Sequence, residues 1–423
     1  MRNIFAGAIL IGLSSAALAQ PGAMQGPEFA SRLDAVIDRA IAEGRIVGTV
    51  VLVAHDGHLV YHRASGLADR ETREPMREDA IFRLASVTKP IVSATALKLV
   101  EEGKLRLDDP VTRWLPGFRP RLTDGAEPII TIRQLLTHSA GLSYGFLEPV
   151  GSVYQALNVS DGMDQPGLSI DENLRRLARA PLAFPPGTAW RYSLATDVLG
   201  AVLERAAGEG LERIVRTRVT GPLAMTDTGF LISDRARLAT PYADGKPEPV
   251  RMQDGTAVPF GHGVVRYAPS RVLDSRSYAS GGAGMVGTAR DILTFLEAIR
   301  TGGAPILSPE TVRLMMADHV GPQAQTQGPG WGFGVGWAVL ADPAAAGTPQ
   351  SKGTIQWGGA YGHSWFVDPA QKLSVVALTN TALEGMSGAF PGQIRDAVYH
   401  SLTDGLGVRH PMHPRHSARE LQD

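Results

Sequence analysis

Strand-forming runs sit at both ends of this 423-residue chain, and helical periodicity fills the stretch between them. Gly48 to Ala54 and Leu59 to Ala64 are β-rich and flank Asp56-Gly57, a strong two-residue hairpin signal. Trp331 to Leu340, Thr354 to Trp357, Ser364 to Val367 and Leu373 to Asn380 read as strands as well. The economical fold is one sheet assembled from both ends, flanked by helices, with a helical unit inserted. Boundaries follow from composition: a discontinuous α/β domain over 28–108 and 284–405, and a helical domain over 109–283. A catalytic cleft belongs between them, where pockets prefer to form.

Several helices are legible from apolar spacing. Phe29, Leu33, Val36, Ile37 and Ile41 share one side of a helix running to Ala42. Pro90 to Leu99 is apolar on nearly every side, which marks a helix buried all round. Ser169 with Glu172 forms a capping box for a helix through Arg179. Leu194, Val198, Ala201 and Val202 trace the inner face of another, ending near Gly208. Thr288 and Asp291 open a helix to Arg300, and a last one spans Gln393 to Leu402. Residues 240–280 show little periodicity and are expected to be irregular, substrate-shaping structure.

The first nineteen residues read as an export signal. Arg2 is its positive end, Ile4 to Leu13 its apolar stretch, and Ala17-Leu18-Ala19 a small-residue cleavage site before Gln20. The expectation is a periplasmic or secreted protein with no membrane span. A Pro/Gly-rich linker (20–27) follows, and a polar tail over 406–423 is expected to be disordered. His410, His413 and His416 in that tail are spaced for metal contact, yet no carboxylate or cysteine cluster accompanies them. The chain has no cysteine, so disulfides and thiolate catalysis are excluded. A formal net charge of −1 gives no reason to expect a nucleic-acid partner. No metal or cofactor is called for.

Ser86-Val87-Thr88-Lys89 places a serine and a lysine three apart at the start of the buried helix, on one face. Pro90 fits only in a first turn, so Ser86 belongs at the helix N-terminus, where free N–H groups favour negative charge. A cation at Lys89 opposes that dipole; a neutral or proton-exchanging amine resolves the conflict. Only six of the 41 basic residues are lysine. Arginine does not give up its proton in a protein, so a lysine here is more telling than usual. Two further segments follow. Trp190-Arg191-Tyr192-Ser193-Leu194 puts Tyr192 on a loop before a helix, a candidate proton shuttle whose phenolate a lysine ammonium would favour. Trp357-Gly358-Gly359-Ala360-Tyr361-Gly362-His363 ends a strand with paired glycines, where backbone can approach a ligand closely. His363 could line that pocket or be structural. Gly141-Leu142-Ser143-Tyr144-Gly145 matches the nucleophile elbow Gly-x-Ser-x-Gly but lacks the strand before and helix after that an elbow requires.

Taken together, the three segments resemble the family VIII carboxylesterases, relatives of class C β-lactamases and D-Ala-D-Ala peptidases. The similarity extends to Leu136-Thr137-His138-Ser139-Ala140-Gly141-Leu142 and Pro222-Leu223-Ala224-Met225-Thr226-Asp227-Thr228. It implies an α+β serine β-lactamase-like fold with an antiparallel sheet. It also implies Ser86 as acyl-forming nucleophile, Lys89 and Tyr192 as the acid/base pair, and an oxyanion hole from the N–H groups of Ser86 and Ala360. Trp357, Gly358, Gly359, His363 and Leu194 would then border the substrate. Where β-lactamases carry Lys-Thr-Gly this chain has Trp357, and Leu194 stands where the second motif usually has Asn. Both departures favour neutral short-chain esters over lactams. A class C-like β-lactamase or D-amino-acid-specific peptidase is the nearest alternative, and a non-catalytic penicillin-binding-like protein a further one.

Overall fold

The computed structural model describes residues 26–404. The expected export signal, the tail beyond 405 and its three histidines lie outside the described residues. Helices relevant to the site are α1 (Pro27–Ala42), α2 (Thr88–Glu101), α3 (Ile132–Leu136), α4 (Ala195–Ala207), α5 (Ala289–Arg300), α6 (Glu384–Ser387) and α7 (Ala389–Asp404). The strands are β1 (Gly48–His55), β2 (His58–Asp69), β3 (Glu74–Pro75), β4 (Thr256–Phe260), β5 (Gly263–Tyr267), β6 (Trp331–Phe333), β7 (Ala338–Leu340), β8 (Ile355–Gly359), β9 (His363–Asp368) and β10 (Leu373–Thr379).

Eight strands form one sheet in the order β6-β7-β8-β9-β10-β1-β2-β3, every neighbouring pair antiparallel. The chain ends meet in its middle, where β1 pairs with β10 from Thr49↔Thr379 to His55↔Leu373. The Gly48 N–H also donates to the Asn380 Oδ1 at 2.9 Å. Alternation then divides the sheet between two cores. Val51, Val53, Val375 and Ala377 face α1 and α7, meeting Phe29, Leu33, Phe390 and Val398. Val50, Leu52, Val376 and Leu378 face the opposite side, in the core that holds α2 and α5. Helix α2 also packs on α4, which explains why its sequence is apolar all round: from Thr88 to Leu97 it is buried throughout.

Three local readings change. Residues 331–340 are two short strands, not one, because Gly336 takes φ +90° in a turn between them. The span 240–280 contains the β4–β5 hairpin, closed by Gly261-His262. Its inward positions, Gly263, Val265 and Tyr267, do alternate, but over too few residues to stand out among the polar neighbours. The final helix begins at Ala389, ahead of Pro391-Gly392. Proline is tolerated in a first turn, where its missing N–H has no intrahelical partner anyway. No helix among the described residues is long and apolar enough to cross a membrane.

Candidate active site

The chain enters α2 through a 3₁₀ turn, Ala85–Val87, with Ser86 at its centre. Ala85 is buried at φ +45°, a backbone region that non-glycine residues seldom occupy. The turn is held in place because the Leu84 N–H donates to the Met285 carbonyl and the Val87 N–H to the Leu84 carbonyl. Ser86 thus stands at the N-terminal end of a buried helix, as its sequence position implies.

Lys89, one turn on, has no exposed surface. Its Nζ donates to Ser86 Oγ at 3.2 Å and to the Gly282 carbonyl at 2.8 Å. The ammonium also lies over the rings of Tyr192 (4.5 Å) and Tyr144 (5.1 Å). Burial lowers its pKa to about 7, while the charges of Asp197 and Asp161 pull the other way. Asp197, on α4, is itself pushed up by burial; Ser280 Oγ donates to it at 2.6 Å. Both groups are therefore biased toward their neutral forms.

Tyr192 Oη donates to the same Ser86 Oγ at 2.6 Å. Its ring is packed among His138, Tyr144 and Trp357, with centroids 5.0, 5.0 and 5.1 Å away. Burial raises the Tyr192 pKa well above the ordinary phenol range, outweighing the hydrogen bond from which the phenolate would benefit. The expected lowering does not occur. Tyr192 is a neutral hydroxyl, and the group drawn toward working pH is Lys89.

The end of β8 runs beside the Ser86 turn. A Cβ at Gly359 would stand 2.3 Å from the Leu84 carbonyl oxygen, so only glycine permits this approach. Tyr267 Oη, from the β4–β5 hairpin, donates to the Ala360 carbonyl at 2.9 Å and fixes the next peptide. Gly362, at φ +111°, completes the turn by donating to the Gly359 carbonyl at 2.8 Å.

Ser86 opens into a cavity of about 510 Å³ bordered by Phe146, Trp190, Tyr192, Phe260, Trp357 and Ala360. Arg191 also reaches it, but pairs with Glu148 at 3.1 Å. A hydroxyl flanked by an amine and a phenol, at a helix N-terminus and beside a glycine strand end, has the parts needed for acyl transfer.

The family model for Beta-lactamase matches residues 33–398. The chain belongs to the beta-lactamase family. Among beta-lactamase relatives, Esterase EstB of Burkholderia gladioli is 60% identical over 375 residues, covering 88% of this chain and 95% of its own length. Lovastatin esterase of Penicillium rubens is 29% identical over 406 residues, covering 88% of this chain and 97% of its own. A solved structure described as EstCE1, a hydrolase with promiscuous acyltransferase activity, superposes with a TM-score of 0.86 at 52% identity, covering 88% of this chain and 98% of that one. The serine beta-lactamase-like α+β fold is the one anticipated.

Ser86, Lys89, Tyr192, Trp357, Gly358 and Ala360 come together at this site. Leu194 and His363 do not border the cavity. Leu194 is buried at the start of α4, and its N–H donates to the Ser143 carbonyl. His363 Nε2 donates to the Arg83 carbonyl at 2.7 Å; burial lowers its pKa to about 4, so it is a neutral tie behind the nucleophile turn. Gly359 serves close packing instead of lining the cavity. Ser143 is buried too, its N–H donating to Tyr154 Oη at 2.8 Å. The residue of Gly-Leu-Ser-Tyr-Gly that reaches the site is Tyr144. Sequence reasoning missed it, along with His138, Asp197 and Tyr267. His138 and Tyr144 were within reach of notice, since they lie in and just after the Leu136–Leu142 landmark.

Proposed function

We propose that this chain is an exported serine carboxylesterase that cleaves esters of short-chain acids through an acyl-enzyme. The observation that carries the reading is the placement of Ser86 Oγ between Lys89 Nζ (3.2 Å) and Tyr192 Oη (2.6 Å) on an apolar cavity. Relatives named as esterases support the reaction class. Trp357, standing where β-lactamases carry the lysine of Lys-Thr-Gly, and the pairing of Arg191 with Glu148 support neutral esters over carboxylate-bearing lactams.

In this reading the Lys89 amine takes the Ser86 proton as Oγ attacks the ester carbonyl. The N–H groups of Ser86 and Ala360 receive the oxyanion, aided by the α2 N-terminus. Tyr192 Oη gives its proton to the leaving alkoxide and regains one from the Lys89 ammonium. Water then attacks the acyl-enzyme, the pair accepts its proton, and Ser86 Oγ leaves reprotonated. The pair titrates as a unit, because both groups meet at one oxygen.

Turnover of a nitrophenyl butyrate, a chromogenic cephalosporin and a D-Ala-D-Ala peptide tests the assignment. The butyrate should be cleaved fastest and the cephalosporin weakly. Preference for the cephalosporin or the peptide would replace the esterase reading by its nearest alternative. Failure of a fluorophosphonate to label Ser86 would point instead to a silent binding protein. Ser86→Ala, Lys89→Ala and Tyr192→Phe should each lose at least ~10²-fold in kcat, as expected for removing a nucleophile or acid/base group.

A further inference from the structure

Among the described residues, two charged side chains border the cavity at Ser86, Arg191 and Arg395. Each is taken by a carboxylate. Arg395, on α7, is held at 2.7 Å by Asp396, its neighbour in the chain. Arg191 Nη2 pairs with Glu148 Oε1 at 3.1 Å. This second pair joins two walls of the cavity. Phe146 and Leu147 precede Glu148, Trp190 and Tyr192 flank Arg191, and all four border the cavity. Neither charge rides on a loose segment. The Arg191 N–H donates to the His138 carbonyl at 2.9 Å, and the Glu148 N–H to the Gly145 carbonyl at 3.3 Å. Gly263 of β5 packs tightly on the same backbone: a Cβ there would stand 2.0 Å from the Phe146 carbonyl oxygen and 3.0 Å from that of Glu148. The side chains of Arg191 and Glu148 are 37% and 20% exposed, and ion pairs this open to water add little to stability. What the pair does change is the charge a ligand meets.

We propose that Glu148 is a specificity-determining residue that keeps carboxylate-bearing esters out, by occupying the guanidinium that would otherwise receive them. The assignment rests on the esterase reading above. A free guanidinium takes a carboxylate through paired, charge-assisted hydrogen bonds. With Glu148 in place, a substrate carboxylate must displace one anion and then lie beside it, so two like charges crowd one cation. Neutral esters meet no such penalty. Removing the Glu148 charge therefore turns Arg191 into a receptor for anionic esters.

Two substrate pairs test this, one with the carboxylate on the acid portion and one with it on the alcohol portion. They are nitrophenyl hemiglutarate against a neutral nitrophenyl ester of matched size, and acetoxybenzoate against isopropylphenyl acetate. The readout is the anionic-to-neutral ratio of kcat/KM. Glu148→Gln should raise that ratio about tenfold in at least one pair, the gain expected for a hydrogen bond between charged groups. Added salt should shrink the gain. Arg191→Gln should lower the ratio below wild type, because Glu148 then stands unpaired. The double variant should bring it back to within about threefold of wild type. A purely structural tie would move both members of a substrate pair together and leave the ratio alone. A ratio unmoved by Glu148→Gln in both pairs, or a rise that the double variant retains, would overturn the assignment. Should Glu148→Gln misfold, Arg191→Gln decides alone, and a ratio that does not fall overturns it. Calorimetry on Ser86→Ala with monomethyl glutarate needs no turnover: adding Glu148→Gln should tighten binding about tenfold. If no ester is cleaved, the esterase reading fails and the calorimetry decides the role of Glu148: tightening upholds it, and equal affinity in the two backgrounds overturns it as well.

Discussion

In the proposed mechanism Lys89 is the residue on which the chemistry turns. Buried without exposure beside Ser86 Oγ, it has a pKa lowered by desolvation to about 7. The amine is the form that accepts a proton, so kcat/KM should rise with pH through about 7 and fall tenfold per unit below it. Asp197 opposes that shift, since its negative charge favours the ammonium. Asp197→Asn should therefore move the rise to lower pH, by up to about 1 unit, in a pH–rate profile on one short ester. An unmoved profile would show that Asp197 has no electrical hold on Lys89. The Ser86–Lys89 pairing was legible because three residues on a helix settle it locally. The protonation state of Tyr192 was not: the sequence places a cation near it, but only the fold reveals that the ring is sealed among His138, Tyr144 and Trp357. Ser143 illustrates the reverse case, a motif serine whose surroundings make it inert. Ser143→Ala should leave kcat near the wild-type value.

At the level of elements, the site is a contact between a strand end and a turn. Gly359 lets β8 reach the Leu84 carbonyl, and Tyr267 steadies Ala360 from the β4–β5 hairpin. Gly359→Ala should push the strand off the nucleophile turn. Displacements near 1 Å can cost on the order of 10²-fold in rate, so kcat should fall by about that much while circular dichroism stays native. Tyr267→Phe removes one hydrogen bond and should cost less, about threefold to tenfold in kcat. The glycine strand end was readable because paired glycines are conspicuous. The hairpin that braces it was not, because five-residue strands in a polar stretch carry too little alternation to register. The motif resemblance puts Leu194 and His363 at the cavity, Leu194 as the last position of the second motif and His363 as the residue after the glycine strand end. Strand and helix geometry turns one neighbour inward while the next turns away.

Across the whole molecule, the two ends of the chain share one sheet and one core. Phe29 and Leu33 from α1 meet Phe390 and Val398 from α7 over Val51 and Val375. Phe390 is fully buried there, so Phe390→Ala should destabilise the protein by about 3–5 kcal/mol, measured by denaturant unfolding. The joining of the ends was legible from where the strands fall along the chain. The strand order was not, because hydrophobic runs do not name their partners. That order carries a consequence for how the protein comes into being. The Gly48 to Asn380 contact spans 332 residues, and β1 has its neighbour on that side only once β10 exists. Such long-range pairing makes folding slow. During synthesis, β1 must wait with an unpaired edge while nearly the whole remaining chain is made. The half-built protein is thus open to wrong strand partners, and its survival depends on chaperones or on rapid closure once the last strands arrive.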